Sequence, residues 1–286
     1  MWWSDEKCIQ PVKIGRMKIV LLILNGNLSA EHLINKAISL SGSSHCFFHA
    51  VFINHSPDLN EYDYIFPNDL ALTRNRTSQK IIKEEDAAVL KDNMGLFEVQ
   101  FNAAKLDYRI DADEDMTLGK LLHLSSFADF ILIDGTHSAG HHHLADLLAN
   151  AHCPIYLVSS SYQQPEQIVL TYDGEDTSIV AIKTFAQLFI ELKDLPATLA
   201  YSTNANSPEL PERKYVEEWL SRHYNKVKIE ILAGNASETL PDFIRSKPNS
   251  LVVMGSFGRS ALSRFFHKSL ASVVLEESPC ALFIAH

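Results

Sequence analysis

The feature that most constrains this chain is a strand, a glycine turn and a helix, written twice. The first copy starts with the continuous apolar run Lys18 to Leu24 and turns at Gly26. The second copy starts at Gln167 to Thr171 and turns at Asp173-Gly174. Apolar residues at helical spacing follow each turn, and a fully apolar run of strand length is typical of a buried parallel strand. The repetition indicates a duplicated α/β unit.

Each copy continues through five predicted strands that alternate with helical segments, which is the pattern of parallel strands joined by right-handed crossovers. The predicted fold class is therefore α/β, with two tandem doubly wound five-stranded parallel sheets, each covered by helices on both faces. The predicted strands are Lys18 to Leu24, Cys46 to Asn54, Asp107 to Asp111, Phe130 to Ile133 and Ile155 to Val158 in the first half, and Gln167 to Thr171, Ala197 to Thr203, Val227 to Ala233, Leu251 to Met254 and Ala281 to Ala285 in the second.

The length of 286 residues agrees with two domains of about 150 residues each. A polar, serine-rich segment that ends at a proline, Ser159 to Pro165, has the composition of a linker. We place the boundary near residue 163, which gives a first domain at 17–162 and a second at 163–286. Residues 1–16 precede the first strand and are interpreted as an N-terminal extension.

Composition excludes several classes of protein. The net charge of −10 argues against a nucleic-acid binder with a general basic face. The longest aliphatic runs are far shorter than the roughly 20 residues of a membrane-spanning helix. Four cysteines without a CxxC pair favour reduced thiols over a zinc ribbon. We therefore expect a cytoplasmic protein that binds neither membrane nor nucleic acid.

A glycine turn follows the fourth strand of the second half. Gly255 and Gly258 enclose Ser256, and the segment from Leu251 to Leu275 contains three cations and no acid. In doubly wound sheets a glycine turn at a strand end cradles phosphate with its backbone N–H groups. The local excess of positive charge in an acidic protein favours an anionic ligand there.

With these residues the chain resembles the universal stress protein (UspA-like) family in its tandem two-domain form, from about Met17 to the C-terminus. The nucleotide-binding members carry Gly, two residues, Gly, nine residues, then Gly-Ser or Gly-Thr. Gly255, Gly258 and Ser269 match this motif, whereas Lys268 stands where the family has its third glycine.

The resemblance implies an adenine-nucleotide alpha hydrolase-like fold, packed as a pseudo-dimer, and an adenine nucleotide (ATP, ADP or AMP) as the cofactor of the second domain. Asp173 occupies the position of the aspartate that contacts the nucleoside. The N–H groups around Gly255, Ser256 and Gly258 would hold the phosphates, with Ser269 and Lys268 or Arg259 at the terminal phosphate. The family also uses its last strand in dimers, so we expect Ile155 to Val158 to contact Ala281 to Ala285, and the tandem chain to form a homodimer.

The first half lacks these features. Asn25 replaces the aspartate, and Asp134 would repel phosphate, so no nucleotide is expected there. His137 and His141 are four residues apart and would share a helix face, which makes them weak candidates for metal ligands. No cysteine or acid completes a ligand set near them, and a structural or surface role is favoured.

The residues leave three functions open. The first is a non-enzymatic stress-response or regulatory protein that binds a nucleotide in its second domain. The second is an interaction or scaffold module without nucleotide, in which Asp173 only forms its Asp-Gly turn or caps the next helix and Lys268 blocks the loop. The third is a weak ATPase, for which no base or metal-binding carboxylate pair is evident. No catalytic residue is predicted.

Overall fold

A computed structural model describes residues 17–25, 31–42, 45–53, 71–111, 116–135, 141–159, 164–206, 208–255 and 280–285. The first half contains the strands and helices β1 (Lys18–Asn25), α1 (Glu31–Ser41), β2 (Cys46–Ile53), α2 (Ala71–Ala103), β3 (Asp107–Asp111), α3 (Leu118–Ser125), β4 (Phe130–Asp134), α4 (His141–Asn150) and β5 (Ile155–Val158). The second half contains β6 (Gln167–Tyr172), α5 (Asp176–Leu188), β7 (Ala197–Thr203), α6 (Arg213–His223), β8 (Val227–Ala233), α7 (Ala236–Arg245), β9 (Ser250–Gly255) and β10 (Ala281–Ala285).

The strands form one sheet in the order β3-β2-β1-β4-β5-β10-β9-β6-β7-β8. Within each half all neighbouring strands are parallel. The predicted α/β class with two doubly wound, five-stranded parallel units is therefore confirmed. The two units are continuous, however, because β5 and β10 pair antiparallel at the centre, with Tyr156 opposite Phe283. This pairing confirms the predicted contact between the last strands of the two halves.

The side chains of each strand alternate between two apolar clusters, one on each face of the sheet. On β1, for example, Val20 and Leu22 lie in one cluster and Leu21 and Ile23 in the other. Helices α1, α2, α5 and α6 contribute to the first cluster, and α3, α4 and α7 to the second. Central strands that are buried on both faces have to be continuously apolar, which explains why the sequence identified them.

An aromatic group joins the two halves on the first face. Phe189, which follows α5, has its ring centroid 5.3 Å from that of Phe130 and 5.7 Å from that of Tyr156, both in the first half. It also lies 5.8 Å from Phe283 in β10. Phe189 is only 3% exposed. The core of each half therefore continues into the other.

An ion pair crosses between the halves beside these rings. Nζ of Lys18, at the start of β1, lies 2.8 Å from Oε1 of Glu191. The same ammonium lies 4.7 Å from the ring centroid of Phe189. Both side chains are largely buried, and an opposite charge together with an aromatic face compensates a buried ammonium for its lost hydration.

Both ends of helix α5 differ from prediction. The apolar spacing after Asp173-Gly174 predicts a helix from about Ser178 to Glu191. The helix begins at Asp176 and ends at Leu188, and a single 3-10 turn covers Ile190–Leu192. The first turn of a helix carries few core contacts and so leaves little periodic signal. In the part of the chain that the structure describes, no helix combines the length and the apolar character needed to cross a membrane.

Candidate functional site

The candidate site lies at the carboxyl ends of β6 and β9, which are neighbours in the sheet. From β6 the chain continues to β7 on one side, whereas β9 lies next to β10 on the other. The strand order therefore reverses between β6 and β9. In doubly wound sheets a crevice opens at such a reversal and holds the ligand. The fold thus places the ends of these two strands where a binding site is expected.

Asp173 directly follows β6, and its carboxylate forms a local turn. Oδ1 accepts a hydrogen bond of 3.0 Å from the backbone N–H of Glu175. Gly174 between them has φ +91°, a conformation that favours glycine. The Asp-Gly pair therefore bends the chain from β6 into α5, which begins at Asp176. The hydrogen bond shows that Asp173 forms this turn, and the contact of Asp173 with a nucleoside stays a prediction.

Gly255 ends β9 and faces the first turn of α5. A Cβ atom added to Gly255 would lie 3.0 Å from Cα and from N of Ser178, and equally close to the carbonyl carbon of Thr177. Backbone atoms cannot move aside as the end of a side chain can. A Cβ at this position would force the backbone of α5 to shift by a few tenths of an ångström, so the close approach of α5 to β9 favours glycine there.

The described rim of the crevice is acidic. Asp173, Glu175 and Asp176 lie at the start of α5, and Glu212 precedes α6. Burial raises the pKa of the nearby Tyr172 phenol, and the negative charges of Glu212 and Asp173 raise it further. A phosphate at this rim would need cations to balance these carboxylates.

The cations proposed from the sequence are Arg259 and Lys268. Both lie outside the described residues, as do Ser256, Gly258 and Ser269. Of the predicted nucleotide-binding residues, the structure therefore places Asp173 and Gly255, at the ends of adjacent strands.

The equivalent place in the first half holds a different pair of side chains. At the end of β4, Oδ2 of Asp134 lies 2.8 Å from Nε2 of His32, which is in the first turn of α1. Asn25 ends the neighbouring strand β1. An acidic group thus lies beside the helix start where a phosphate would sit in a nucleotide site. No local sequence pattern pointed to His32, because its partner Asp134 lies about a hundred residues away along the chain.

Both histidine candidates for a metal site fall at or before the start of α4. His137 lies outside the described residues, and His141 is the first residue of α4. Among the residues that the structure describes, no group of three or more His, Cys, Asp or Glu side chains could hold a metal ion.

A second polar cluster was not predicted at all. Nε2 of His49, in β2, lies 2.7 Å from Oδ2 of Asp111 in β3, and Nη2 of Arg109 approaches the same imidazole at 2.8 Å. The strand register explains this cluster, since His49 pairs with Arg109 and Asp111 follows on the same face. These contacts stabilise the pairing of β2 with the edge strand β3.

The fold defines an α/β protein whose parallel strand order reverses between β6 and β9, the position at which such sheets usually hold a ligand. The model of the Universal stress protein family matches residues 133–286, more than half of the chain. The chain belongs to the universal stress protein family. The match includes all of the second half and begins near the end of β4 in the first.

Solved structures of the same family share the fold over nearly the whole chain. A universal stress protein from Archaeoglobus fulgidus DSM 4304 is 12% identical, with 93% of this chain and 95% of that chain covered and a TM-score of 0.57. A putative universal stress protein from Pseudomonas aeruginosa UCBPP-PA14 is 11% identical, with 94% and 93% covered and a TM-score of 0.51. No curated protein matches the sequence. At these identities the likeness concerns the fold alone.

Proposed function

We propose that this chain is a non-enzymatic stress-response protein that binds an adenine nucleotide in the crevice of its second half. Membership of the universal stress protein family supports the stress-response role. The observation that carries the nucleotide site is the placement of Asp173 and Gly255 at the carboxyl ends of adjacent strands, where the strand order reverses.

The described groups fit part of a nucleotide. Oδ1 of Asp173 accepts the hydrogen bond that forms the turn. None of the described hydrogen bonds involves Oδ2, so this oxygen remains an acceptor for nucleoside hydroxyls. In the proposal the backbone beyond Gly255 holds the phosphates, and Ser269 with Lys268 or Arg259 binds the terminal one. Their positive charge would offset the acidic rim.

Titration calorimetry and thermal shift with ATP, ADP and AMP test the proposal. We expect saturable binding with a measurable heat at or below millimolar nucleotide. Asp173→Asn keeps a side-chain oxygen for the turn but removes the negative charge, so it should weaken binding without lowering stability. Lys268→Ala should weaken the binding of ATP more than the binding of AMP if the ammonium of Lys268 holds the terminal phosphate of ATP. Absence of both heat and thermal shift at millimolar concentrations of all three nucleotides rules the proposal out.

A second function, an interaction protein that binds no nucleotide, is favoured by a specific observation. Both placed residues have a local structural reason, the turn at Asp173 and the helix contact at Gly255. Under this alternative Lys268→Gly would restore the family motif and create nucleotide binding that the natural chain lacks. A gain of binding in that variant alone therefore selects the second function over the first.

The proposal also places the protein in the cytoplasm, and its halves as a pseudo-dimer joined through β5 and β10. Cys46, Cys153 and Cys280 are buried free thiols. Unpaired buried thiols suit a reducing compartment.

A further inference from the structure

The two ends of the sheet are the places where a further strand can be added. Of the strands described, β3 and β8 each have one neighbour, whereas β5 and β10 have neighbours on both sides. The strands that join the two halves are therefore not available to a second copy of the chain. An exposed strand edge offers unpaired N–H and C=O groups to another chain.

The backbone of β8 directs alternate residues outward. The backbone carbonyl of Lys226 accepts a hydrogen bond from the N–H of Ala197, and the N–H of Gly234 donates one to the carbonyl of Thr203. Both groups therefore point toward β7. In a parallel ladder every second residue directs both of its backbone groups to the same neighbour, and the residues that alternate with them direct theirs to the opposite side. The outward N–H and C=O groups of β8 therefore belong to Val227, Ile229, Ile231 and Ala233.

The side chains of β8 alternate in character as well. Val227, Ile229 and Ile231 are partly buried against the first apolar cluster. Lys228 and Glu230 lie on the other face, where Nζ of Lys228 is 2.5 Å from Oε1 of Glu230. Nζ of Lys247 lies 3.9 Å from the same carboxylate. The edge thus carries an apolar row and a pair of opposite charges.

We propose that β8 pairs antiparallel with β8 of a second copy of this chain, with Ile229 on the two-fold axis. Lys228 of each copy then lies opposite Glu230 of the other, and Val227 lies opposite Ile231. The outward groups of Val227, Ile229 and Ile231 form about six hydrogen bonds across the joint. Apolar contacts line one face and two cross-strand ion pairs the other.

Charge selects this register. With residue 230 on the axis, the two copies of Glu230 would face each other, and with residue 228 on the axis the two copies of Lys228 would do so. Like charges directly opposite are destabilising. The other edge is less suited, since centring β3 on Arg109 brings Asp107 opposite Asp111. The inference is independent of nucleotide binding.

Sedimentation velocity of the full chain, from micromolar to about 1 mM, tests the proposal. We expect a reversible monomer–dimer equilibrium. Lys228→Glu and Glu230→Lys each place like charges opposite each other, so each variant alone should dimerise at least about tenfold more weakly. Mixing the two variants brings acidic residues of one chain opposite basic residues of the other, so the mixture should form a heterodimer. Lys214→Glu, an exposed change on α6, is the matched control and should leave the equilibrium unchanged.

Two results would overturn the proposal. One is a natural chain that stays monomeric over the whole concentration range. The other is a dimer that both single variants form as tightly as the natural chain, because that dimer uses another surface. A single variant that misfolds will not form the heterodimer in the mixture. In that case the double variant Lys228→Glu with Glu230→Lys tests the proposal, because it restores the complementary charge pattern and should dimerise.

Discussion

Two residues of the candidate site stabilise the fold, apart from any part they have in ligand binding. The carboxylate of Asp173 closes a turn, and the missing side chain of Gly255 admits α5. A residue that matches a binding motif can thus be required for packing alone. Substitutions at the two positions consequently report on different properties, and only Asp173 offers a change that preserves the local structure.

Gly255→Ala should destabilise the protein whether or not nucleotide is present. The added Cβ would lie 3.0 Å from backbone atoms of Ser178, and overpacking of this kind costs about 1–3 kcal/mol in the free energy of unfolding. Gly95→Ala is the matched control, because a Cβ there meets nothing within 4 Å on helix α2. It should stabilise by about 0.5–1 kcal/mol. Denaturant unfolding measures both, and equal stability of the two variants would contradict the close contact.

Lys36 on α1 predicts a pH dependence of stability. The residue is 8% exposed, and its Nζ lies 5.9 Å from the ring centroid of Tyr156. Burial lowers the pKa of Lys36 from 10.5 to about 8. Between these values the unfolded chain binds a proton that the folded chain does not, so stability should rise as pH increases from about 8 to 10.5. Below pH 8 the cost of the buried charge, on the order of 3 kcal/mol, is fully present.

Lys36→Met should therefore be more stable than the natural chain at pH 7. Above pH 8 it should lack the part of the increase in stability that comes from deprotonation of Lys36. Urea unfolding at several pH values between 7 and 10 measures both effects. Lys183→Met, an exposed change on α5, should leave the pH profile unchanged. Parallel profiles for the natural chain and Lys36→Met would show that burial of this ammonium does not govern the dependence.

At the scale of elements, the strands were the most predictable part. β3, β5, β7, β8 and β10 have the predicted bounds. β5 and β10 are short apolar runs that begin just after a proline, and β3 and β8 alternate apolar with polar residues, which is typical of a half-buried strand. The ends of α5 were less predictable, since Glu175 at its start makes no side-chain capping bond that a sequence pattern would reveal. Asp173 and Gly255 lie at the ends of adjacent strands, as the predicted doubly wound fold implies. The contact of His32 with Asp134 was not implied, because nothing local specifies it.

At the scale of the whole molecule, the two halves share their apolar cores and should unfold together. Both clusters contain residues from the two halves, and Phe189 packs on rings of each. Calorimetric unfolding should therefore show one transition. Phe189→Ala at the joint and Phe97→Ala within the first half should each lower the midpoint of that transition, through a loss of about 3–5 kcal/mol.

Two separated transitions, with Phe97→Ala moving only one of them, would show that the halves unfold independently in spite of the shared cores. Phe189→Leu is the graded control. It retains most of the apolar volume and should be less destabilising than Phe189→Ala.

The duplication, the α/β class, the bounds of half the strands and the turn at Asp173-Gly174 could be read from the amino-acid sequence, because these depend on local periodicity and turn chemistry. The tertiary structure decided that two five-stranded units form one sheet, that Phe189, Lys18 and Glu191 join them, and that β8 has a single neighbour among the described strands. These features depend on which strands become neighbours. That choice is made by packing over the whole molecule, and a linear pattern does not record it.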